Sequence, residues 1–410
     1  MEEEGLTTRI VHAGRRFGVE HGGIHKPIHT SVQYGHDKAE DLIGVFQGTL
    51  KNSFNYARQG TPTTAALEAL VTEMEQGRGS ICFSTGMAAL SAVFLTLLKA
   101  GDHLVSSRFV FGNTNSLFGT LGELGVQVSK VDAASAAGIE AALRPNTRIV
   151  FVETIANPGT QVPDLAGIGQ LCRQRGLLYV VDNTVTSPAL FRPRSVGAGL
   201  VINSLTKTIA GHGAALGGAV TDTGEFDWRG YPNIFASYRQ GDAAGWGLQQ
   251  IRKKGLRDMG GSLSSEQAHQ IGLGAETMAL RVAQSSASAM ALARFLQHHP
   301  AVAAVHYPML EAHPQHALAK QHFSAGSWLL AFELRDASAM LPVLNRLRLP
   351  IKATGLGDTR TLVIPVAATI FWEMGAAARA EMGITDGLIR VSLGLEDTRD
   401  LIADFTQALA

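Results

Sequence analysis

The residue that is best suited to take part in a reaction is Lys207, which lies in the segment NSLTKT (203–208) directly after the apolar run 200–202. Most lysines are hydrated surface charges, but an amine held beside apolar groups can lose its proton and attack a carbonyl carbon. Lys207 is therefore a candidate nucleophile. A solvated loop lysine is the alternative if this segment is considered alone.

Asp182 is the second candidate, because it ends the β-branched and aromatic run 177–181. Ligand groups gather at the carboxyl ends of strands in parallel α/β sheets. An aspartate that faces a pyridine nitrogen keeps it protonated and makes pyridoxal phosphate an electron sink, while a lysine holds the cofactor aldehyde. Asp182 and Lys207 fit these two roles, and a turn cap is the alternative for Asp182. We predict pyridoxal phosphate as the cofactor.

A phosphate site is predicted in the segment 80–90, which reads as a short strand, a Ser-Thr-Gly turn and a helix that runs to about Leu98. Free amides at a helix N-terminus attract a dianion, and glycine lets the backbone approach it closely. We expect Gly86 and Met87 to bind the phosphate, with Ser204 and Thr206 adding hydroxyl donors. Taken alone, the segment is an ordinary capped helix start.

Six segments of the chain, three of which overlap those above, are informative together: YARQGTPT (56–63), STGMAAL (84–90), ETIANP (153–158), VVDNT (180–184), SLTKTIAGHG (204–213) and LIRVSLGLED (388–397). Together they resemble the Cys/Met-metabolism pyridoxal-phosphate enzymes, which include cystathionine γ-synthases, cystathionine γ-lyases, methionine γ-lyases and homoserine sulfhydrylases. The resemblance covers nearly the whole chain. It implies an α/β fold of the PLP-dependent transferase type (aspartate aminotransferase-like, fold type I), with a mainly parallel seven-stranded sheet and a smaller C-terminal α+β domain.

The resemblance gives Tyr56 and Arg58 a role in a neighbouring subunit. In the family this Tyr-x-Arg pair reaches the cofactor phosphate of the neighbour, which implies an obligate dimer, and Tyr56 also lies beside the substrate. A phenol and a bidentate guanidinium suit a dianion, and in an extended segment both side chains point the same way. A packed tyrosine and an intrachain ion pair are the alternatives.

Two more residues receive cofactor roles by resemblance. Asn157 is expected to hydrogen-bond the 3-hydroxyl oxygen of the cofactor. Phe111 stands where the family commonly has a tyrosine that stacks on the cofactor, and a phenyl ring can stack but has no hydroxyl for proton transfer. Some sulfhydrylases carry phenylalanine here, and Asn113 stands where methionine γ-lyases have a cysteine. Plain core packing is the alternative for Phe111.

Arg390 is the expected substrate anchor, because it interrupts an apolar strand-like run at 387–392. A buried arginine needs an anionic partner, and the α-carboxylate of an amino acid accepts both prongs of a guanidinium. An internal salt bridge is the alternative. We also expect Gly355 to contact the substrate. The segment that follows it resembles sulfhydrylases, yet Ile364 and Ile370 replace two histidines of that branch, so the pocket departs from both branches.

The composition describes a compact globular protein of 410 residues, with 45% hydrophobic and 17% charged residues. Lys and Arg number 35 and so do Asp and Glu, so the formal charge is zero and nucleic acid or an anionic membrane is a poor candidate partner. The apolar run around 88–98 is too short to span a bilayer. Two cysteines in apolar settings, fourteen scattered histidines and no signal-peptide pattern favour a cytoplasmic protein without a metal site.

Three regions are predicted: an N-terminal arm (1–60) that contacts a neighbouring subunit, a PLP-binding α/β domain (61–260) and a C-terminal α+β domain (261–410). Strand-like and helical patterns alternate in the second region, which favours a parallel sheet covered by helices. The arm shows little regular periodicity. The segment 222–265 breaks the alternation and is interpreted as a bridge, and 266–298 is predicted to be one long helix.

The leading functional hypothesis is γ-replacement on O-acetyl- or O-succinylhomoserine, by a sulfhydrylase or an enzyme like cystathionine γ-synthase, in a homo-oligomer that is a dimer or a dimer of dimers. The first alternative is a γ-lyase acting on cystathionine, methionine or another γ-substituted amino acid. An inactive PLP-binding regulatory protein is a further alternative, which the complete set of candidate residues disfavours. A simple aminotransferase remains open on fold grounds.

Overall fold

The computed structural model describes residues 4–50 and 53–410, which form two β-sheets with their covering helices. The strands are β1 (Gly79–Phe83), β2 (His103–Ser107), β3 (Gln127–Val131), β4 (Thr147–Glu153), β5 (Leu178–Asp182), β6 (Leu200–Asn203), β7 (Gly218–Asp222), β8 (Val302–His306), β9 (Leu329–Leu334), β10 (Ile351–Lys352), β11 (Leu362–Pro365) and β12 (Leu388–Ser392).

The α-helices are α1 (Leu6–Phe17), α2 (Ala39–Gln47), α3 (Pro62–Glu75), α4 (Gly86–Leu97), α5 (Gly112–Glu123), α6 (Ala136–Ala141), α7 (Leu165–Arg175), α8 (Ser187–Leu190), α9 (Trp246–Gln250), α10 (Ser265–Glu276), α11 (Met278–Gln297), α12 (His316–His322), α13 (Met340–Arg346), α14 (Ala376–Glu381) and α15 (Thr398–Leu409). A π-helical segment, Ile251–Asp258, continues α9.

The large sheet has seven strands in the order β1-β7-β6-β5-β4-β2-β3. All neighbours pair in parallel except β7, which is antiparallel to both β1 and β6. The predicted mainly parallel seven-stranded sheet is thereby confirmed, although the sequence analysis did not predict β7. Because β4, β5 and β6 are parallel neighbours, their carboxyl ends meet at one edge of the sheet.

Helices cover both faces of this sheet, as alternation along a strand requires. In β5, Val180 packs in the core that contains α4 and α5, whereas Val181 packs in the core that contains α3 and α7. Both side chains are fully buried. The strand run 177–181 thus reads as continuously apolar because neither face is open to solvent.

The smaller C-terminal domain contains a five-stranded sheet in the order β10-β11-β12-β9-β8. Only β10 and β11 pair in parallel. Helices α11, α13 and α15 pack on it around a core that includes Leu330, Phe332 and Phe405. This confirms the predicted α+β character of the C-terminal part.

Two local expectations were wrong. The described part of the arm contains two α-helices, and α1 packs against α3 through the buried residues Ile10 and Ala13. The predicted helix 266–298 is two helices, because Thr277 leaves the helical conformation. The π-helical part of the segment 222–265 lies along α4. The role of this segment as a bridge and the bounds of the three regions stay predictions.

No helix within residues 4–50 and 53–410 has the length and apolar character that a membrane span requires.

Candidate active site

One cavity of about 1200 Å³, including its open mouth, lies where the carboxyl ends of β4, β5 and β6 meet the N-terminus of α4 and strand β12. The fold therefore brings residues from distant parts of the chain to one place. Every predicted site residue except Tyr56 and Arg58 lines this cavity: Gly86, Met87, Phe111, Asn157, Asp182, Ser204, Thr206, Lys207, Gly355 and Arg390.

Lys207 lies in the tight turn that follows β6, where its amide donates to the Ser204 carbonyl at 3.2 Å and its carbonyl accepts from Gly211 at 2.7 Å. Burial lowers the pKa of Lys207, the nearby Arg390 charge lowers it further, and Asp182 opposes both. The amine is thus easier to deprotonate than a solvated lysine. This is the property that the nucleophile prediction required.

Arg281 of α11 stabilises the turn that carries Lys207. Its guanidinium donates to the carbonyls of Thr208 at 2.7 Å and Ile209 at 3.3 Å. Gly211 leaves room for this contact, because a Cβ there would lie 1.8 Å from Arg281 Nη1. The close approach explains the glycine and fixes the turn to the start of α11.

Asp182 ends β5 beside Glu153, the last residue of β4, and the two are paired in register. The backbone amide of Thr184 donates to Asp182 Oδ1 at 2.9 Å. Burial raises the pKa of Asp182, but the Thr184 hydrogen bonds and the charge of Lys207 favour its ionised form. Burial and the neighbouring Asp182 hold the pKa of Glu153 well above its usual value. Of the two carboxyls, Asp182 is the one that ionises first.

The predicted phosphate site lies at the N-terminus of α4. Thr85 caps the helix, and its hydroxyl accepts from the Ala88 amide at 3.0 Å. The amides of Gly86 and Met87, in the first turn, have no carbonyl partner within the helix. Ser204 packs directly against Gly86, and its own amide donates to the Thr184 hydroxyl at 2.8 Å.

Thr206 differs from the expectation of a free hydroxyl donor. Its Oγ1 donates to the Gly217 carbonyl at 3.2 Å and accepts from the Gly217 amide at 3.0 Å. The hydroxyl therefore already joins the loop before Lys207 to the segment that enters β7. Its contribution to phosphate binding stays a prediction.

Gly86→Ala is expected to weaken cofactor binding by about tenfold or more. The added Cβ would lie 2.9 Å from Ser204 Cβ and 3.2 Å from its Cα, so Ser204 must move away from the phosphate site. The dissociation constant of pyridoxal phosphate, measured by titration of the apoprotein, tests this. Gly119→Ala on α5 is the matched control, since its Cβ meets nothing within 4 Å. Equal affinity in both variants would contradict the assignment.

Arg390 is 1% exposed on β12, and its hydrogen-bond partners among the described residues are all neutral. Its Nη1 donates to Asn157 Oδ1 at 3.2 Å, and its Nη2 donates to the carbonyls of Thr354 at 2.9 Å and Gly355 at 3.0 Å. Its Nε has no partner in the described part of the chain. Burial lowers the pKa of Arg390 to about 9. A buried cation without an acid partner suits a substrate carboxylate, and the internal salt bridge considered above is not formed.

These contacts refine two predictions. Gly355 faces the cavity, and its carbonyl oxygen orients Arg390. Asn157 uses its side-chain oxygen on the same guanidinium, so its amide nitrogen is the atom left to meet the 3-hydroxyl oxygen of the cofactor. Direct contact of Gly355 with substrate and of Asn157 with cofactor both stay predictions.

Phe111 immediately precedes α5, and its ring is half-buried at the cavity. Its backbone amide donates to Glu153 Oε1 at 2.6 Å, so the carboxyl beside Asp182 also fixes Phe111. The ring is placed where it can stack on a bound planar group. Plain core packing does not describe its position.

Tyr56 and Arg58 lie outside the cavity of their own chain. Residues 57–59 form a 3₁₀ turn and not an extended segment, and Arg58 Cζ lies 5.6 Å from the centre of the Tyr56 ring. The Arg58 guanidinium donates to the carbonyl of Arg257. Tyr56 is 40% exposed, and its action in a neighbouring subunit stays a prediction.

Glu153 and Thr184 also line the cavity, and neither was predicted from the sequence as part of the site. A signal for Glu153 was present, since it follows the apolar run 147–152 in the same way that Asp182 follows its own strand. Two strand-terminal acids on neighbouring parallel strands are expected to meet. Thr184 carried no such signal, because its hydroxyl contact with Ser204 joins two loops.

The residues present fit pyridoxal phosphate. Three contacts that this cofactor needs are present: Lys207 with its lowered pKa, Asp182 at the end of β5, and the first-turn amides of α4. Arg390, whose hydrogen-bond partners in the described part of the chain are all neutral, leaves a place for an amino-acid carboxylate. No group of three or more His, Cys, Asp or Glu residues that could hold a metal is present in residues 4–50 or 53–410.

Comparison with known proteins agrees with this geometry. A model of the family described as Cys/Met metabolism PLP-dependent enzymes matches residues 7–410. L-Methionine gamma-lyase of Pseudomonas deceptionensis is 35% identical over 409 residues, covering 99% of this chain and 97% of that protein. Homocysteine synthase of Schizosaccharomyces pombe is 33% identical over 425 residues, covering 100% and 99%.

A solved structure from Campylobacter jejuni, assigned as an O-acetylhomoserine (thiol)-lyase, has a TM-score of 0.93 and 28% identity, covering 99% of this chain and all of that one. That structure carries N'-pyridoxyl-lysine-5'-monophosphate. Pyridoxal phosphate is the cofactor of this chain, and fold type I is confirmed. The chain therefore belongs to the Cys/Met-metabolism PLP-dependent enzymes, which carry out γ-elimination or γ-replacement on amino acids of sulfur metabolism.

Proposed function

We propose that this enzyme catalyses γ-replacement on an O-acylated homoserine, most simply addition of sulfide to form homocysteine. The observation that carries the proposal is the phenyl ring of Phe111 at the cavity. No phenol of this chain lines the cavity among the described residues. The part of the site that a single chain supplies thus has no aromatic acid at the position of Phe111 that could protonate a leaving group.

The leaving group decides between the candidate substrates. A carboxylate leaves without protonation, because its conjugate acid has a pKa of about 4, whereas a thiolate is the anion of an acid with a pKa of about 8.5. General acid assistance therefore matters far more for loss of a thiolate than for loss of an acyl carboxylate. A cavity with Phe111 favours the acyl ester.

The cavity also favours a small acyl group. Lys207 and Arg390 are the only cations of this chain among its described lining residues. Leu216, Leu356 and Ile370 contribute apolar surface. O-Acetylhomoserine leaves no distal charge to be matched, whereas O-succinylhomoserine brings a second carboxylate. We propose O-acetylhomoserine as the preferred substrate.

Arg390, Lys207 and Asp182 have separate roles in this reaction. Pyridoxal phosphate, when bound, supplies the electron sink that acidifies the α- and β-hydrogens of an amino acid. Arg390 binds the α-carboxylate and fixes the substrate's orientation. Lys207, whose pKa is lowered, holds the cofactor in the resting enzyme and takes up the α-proton once substrate is bound. Asp182 maintains the proton on the pyridine nitrogen.

We also propose that the active enzyme is at least a dimer. Tyr56 and Arg58 lie away from their own cavity, and the arm around them exposes large apolar side chains such as Ile24 at 73% and Phe46 at 71%. Exposed apolar surface of this kind marks subunit contacts. In this arrangement Tyr56 and Arg58 act at the neighbour's phosphate site, and two dimers can form a tetramer.

The deciding experiment supplies O-acetylhomoserine to the purified holoenzyme with and without sulfide and measures homocysteine and 2-oxobutyrate. We expect homocysteine only with sulfide and little 2-oxobutyrate in either case. Equal 2-oxobutyrate with and without sulfide would show that the enzyme is a γ-lyase. O-Succinylhomoserine in a parallel reaction tests the preference for the smaller acyl group.

A γ-lyase acting on methionine or cystathionine is the second candidate, favoured by the 35% identity with L-methionine gamma-lyase. Asn113, at the position where methionine γ-lyases have a cysteine, is exposed and does not line the cavity described here. The position of Asn113 outside the cavity therefore does not favour a γ-lyase over a γ-replacement enzyme.

Phe111→Tyr is expected to raise the rate of methionine γ-elimination relative to O-acetylhomoserine turnover by about tenfold or more, because it supplies a proton donor at the cavity. The ratio of the two kcat/KM values measures this. Phe235→Tyr is the control, since Phe235 is exposed outside the cavity. An unchanged ratio in Phe111→Tyr would remove the leaving-group argument.

A further inference from the structure

Glu75, the last residue of α3, is a fully buried carboxyl close to the cofactor site but outside its cavity. Its Oε1 accepts hydrogen bonds from Asn183 Nδ2 at 2.9 Å and from Asn203 Nδ2 at 2.6 Å. Asn183 follows β5 and Asn203 ends β6. One carboxyl oxygen therefore joins the ends of two neighbouring strands.

The residues adjoining these two asparagines face the cofactor. Asp182 directly precedes Asn183, and Ser204 directly follows Asn203, and both line the cavity. Side chains alternate between the faces of a strand, so the asparagines point towards α3 while their neighbours point into the cavity. A shift of either asparagine moves a predicted cofactor contact with it.

The same network extends to a third strand. Asn183 Nδ2 also donates to the Phe191 carbonyl at 3.0 Å, and its Oδ1 accepts from the Thr186 hydroxyl. The Thr186 hydroxyl lies 2.8 Å from that of Thr154, which directly follows β4. The polar side chains beneath the cavity thus link the carboxyl ends of β4, β5 and β6.

Stability alone does not account for a carboxyl at this place. Glu75 Oε2 has no hydrogen-bond partner among the described residues. Burial raises the pKa of Glu75 to about 7, and the Asn183 and Asn203 hydrogen bonds and the charge of Arg192 only partly offset this. A buried, half-satisfied carboxyl costs free energy, so what it contributes is the position of the groups that it binds.

We propose that Glu75 is a positioning residue for the cofactor: it fixes the ends of β5 and β6 so that Asp182 and Ser204 lie at the separation that the pyridine nitrogen and the phosphate require. The acceptor oxygen, and not the negative charge, performs this role. The inference concerns cofactor binding and holds for either γ-replacement or γ-elimination.

The test compares the affinity for pyridoxal phosphate of Glu75→Leu, Glu75→Gln and Asp222→Leu apoproteins, with their melting temperatures and the visible circular dichroism of bound cofactor. Asp222 is the matched control: it is 1% exposed in the same sheet, and it accepts from Trp228 Nε1 at 2.9 Å and from the Gly224 amide at 2.8 Å. It lies at the far end of β7 and does not line the cavity.

We expect Glu75→Leu to raise the dissociation constant by about tenfold or more and to change the circular dichroism of the bound cofactor. Glu75→Gln, which keeps an acceptor, should stay within about threefold of the parent. Asp222→Leu should melt earlier with unchanged cofactor affinity. Equal affinities in Glu75→Leu and the parent, or equal losses in Glu75→Leu and Asp222→Leu, would overturn the proposal.

A second variant decides the matter if Glu75→Leu does not fold. Asn203→Ala removes one of the two bonds to Glu75 and leaves the bond from Asn183. It is expected to weaken cofactor affinity by about threefold or more. An unchanged affinity and an unchanged circular dichroism spectrum in this variant would overturn the proposal as well.

Discussion

Lys207→Ala is expected to abolish turnover, with a loss in kcat of about 10³-fold or more, and to remove the visible absorption band of the covalently held cofactor. The lysine is half-buried at the cavity, its pKa is lowered, and the turn around it is fixed by Arg281. Steady-state assay with O-acetylhomoserine and sulfide measures the first effect, and an absorption spectrum measures the second.

Lys130→Ala is the matched control for this prediction. Burial also lowers the pKa of Lys130, but this lysine lies on β3, donates to Asn115 and does not line the cavity. We expect it to keep both the absorption band and the activity. Retention of activity in Lys207→Ala, or loss of the absorption band in Lys130→Ala, would show that the lysine has been wrongly assigned.

Arg390→Lys is expected to lower kcat/KM by about 30-fold to several thousand-fold, equivalent to about 2–5 kcal/mol. The ammonium keeps a positive charge but cannot bind a carboxylate with two parallel hydrogen bonds. It also leaves the Thr354 and Gly355 carbonyls without their present donor. The loss should appear mainly in KM for the amino-acid substrate.

Arg252→Lys is the control for Arg390. Arg252 pairs with Glu68 at 2.7 Å outside the cavity, so its replacement should leave KM unchanged. Cofactor affinity, measured separately, should change little in Arg390→Lys. An unchanged KM in that variant would mean that another group binds the substrate carboxylate.

Much of the large sheet could be predicted from local patterns. The runs around β4, β5 and β6 are β-branched, apolar and bounded by turn residues, because both faces of these strands are buried. Helix α7 also has local signals in the sequence, since Asp164 caps it and Gly176 ends it. Local chemistry determined these elements.

The missed elements depend on tertiary contacts. β7 is short and rich in small residues, and it is stabilised by lying between β1 and β6. Near the break at Thr277, Gly274 lies so close to Ala210 that a Cβ on Gly274 would be 2.1 Å from the Ala210 carbonyl oxygen. Neither signal exists within a local window of sequence.

In the site, too, some residues have local sequence signals and others depend on tertiary contacts. Lys207, Asp182 and Arg390 could be recognised because each is a charged residue beside an apolar run, where burial changes its chemistry. Glu75 could not be recognised in this way, since it ends an ordinary helix and becomes significant only through Asn183 and Asn203. Residues that position others carry little signal of their own.

The most direct test of the account is to reduce the holoenzyme with borohydride, which fixes the cofactor to the residue that holds it, and to map the modified peptide by mass spectrometry. The account predicts modification of the peptide that contains Lys207, and none in Lys207→Ala. Modification of a different lysine, or a coloured protein in which no lysine is modified, would contradict it.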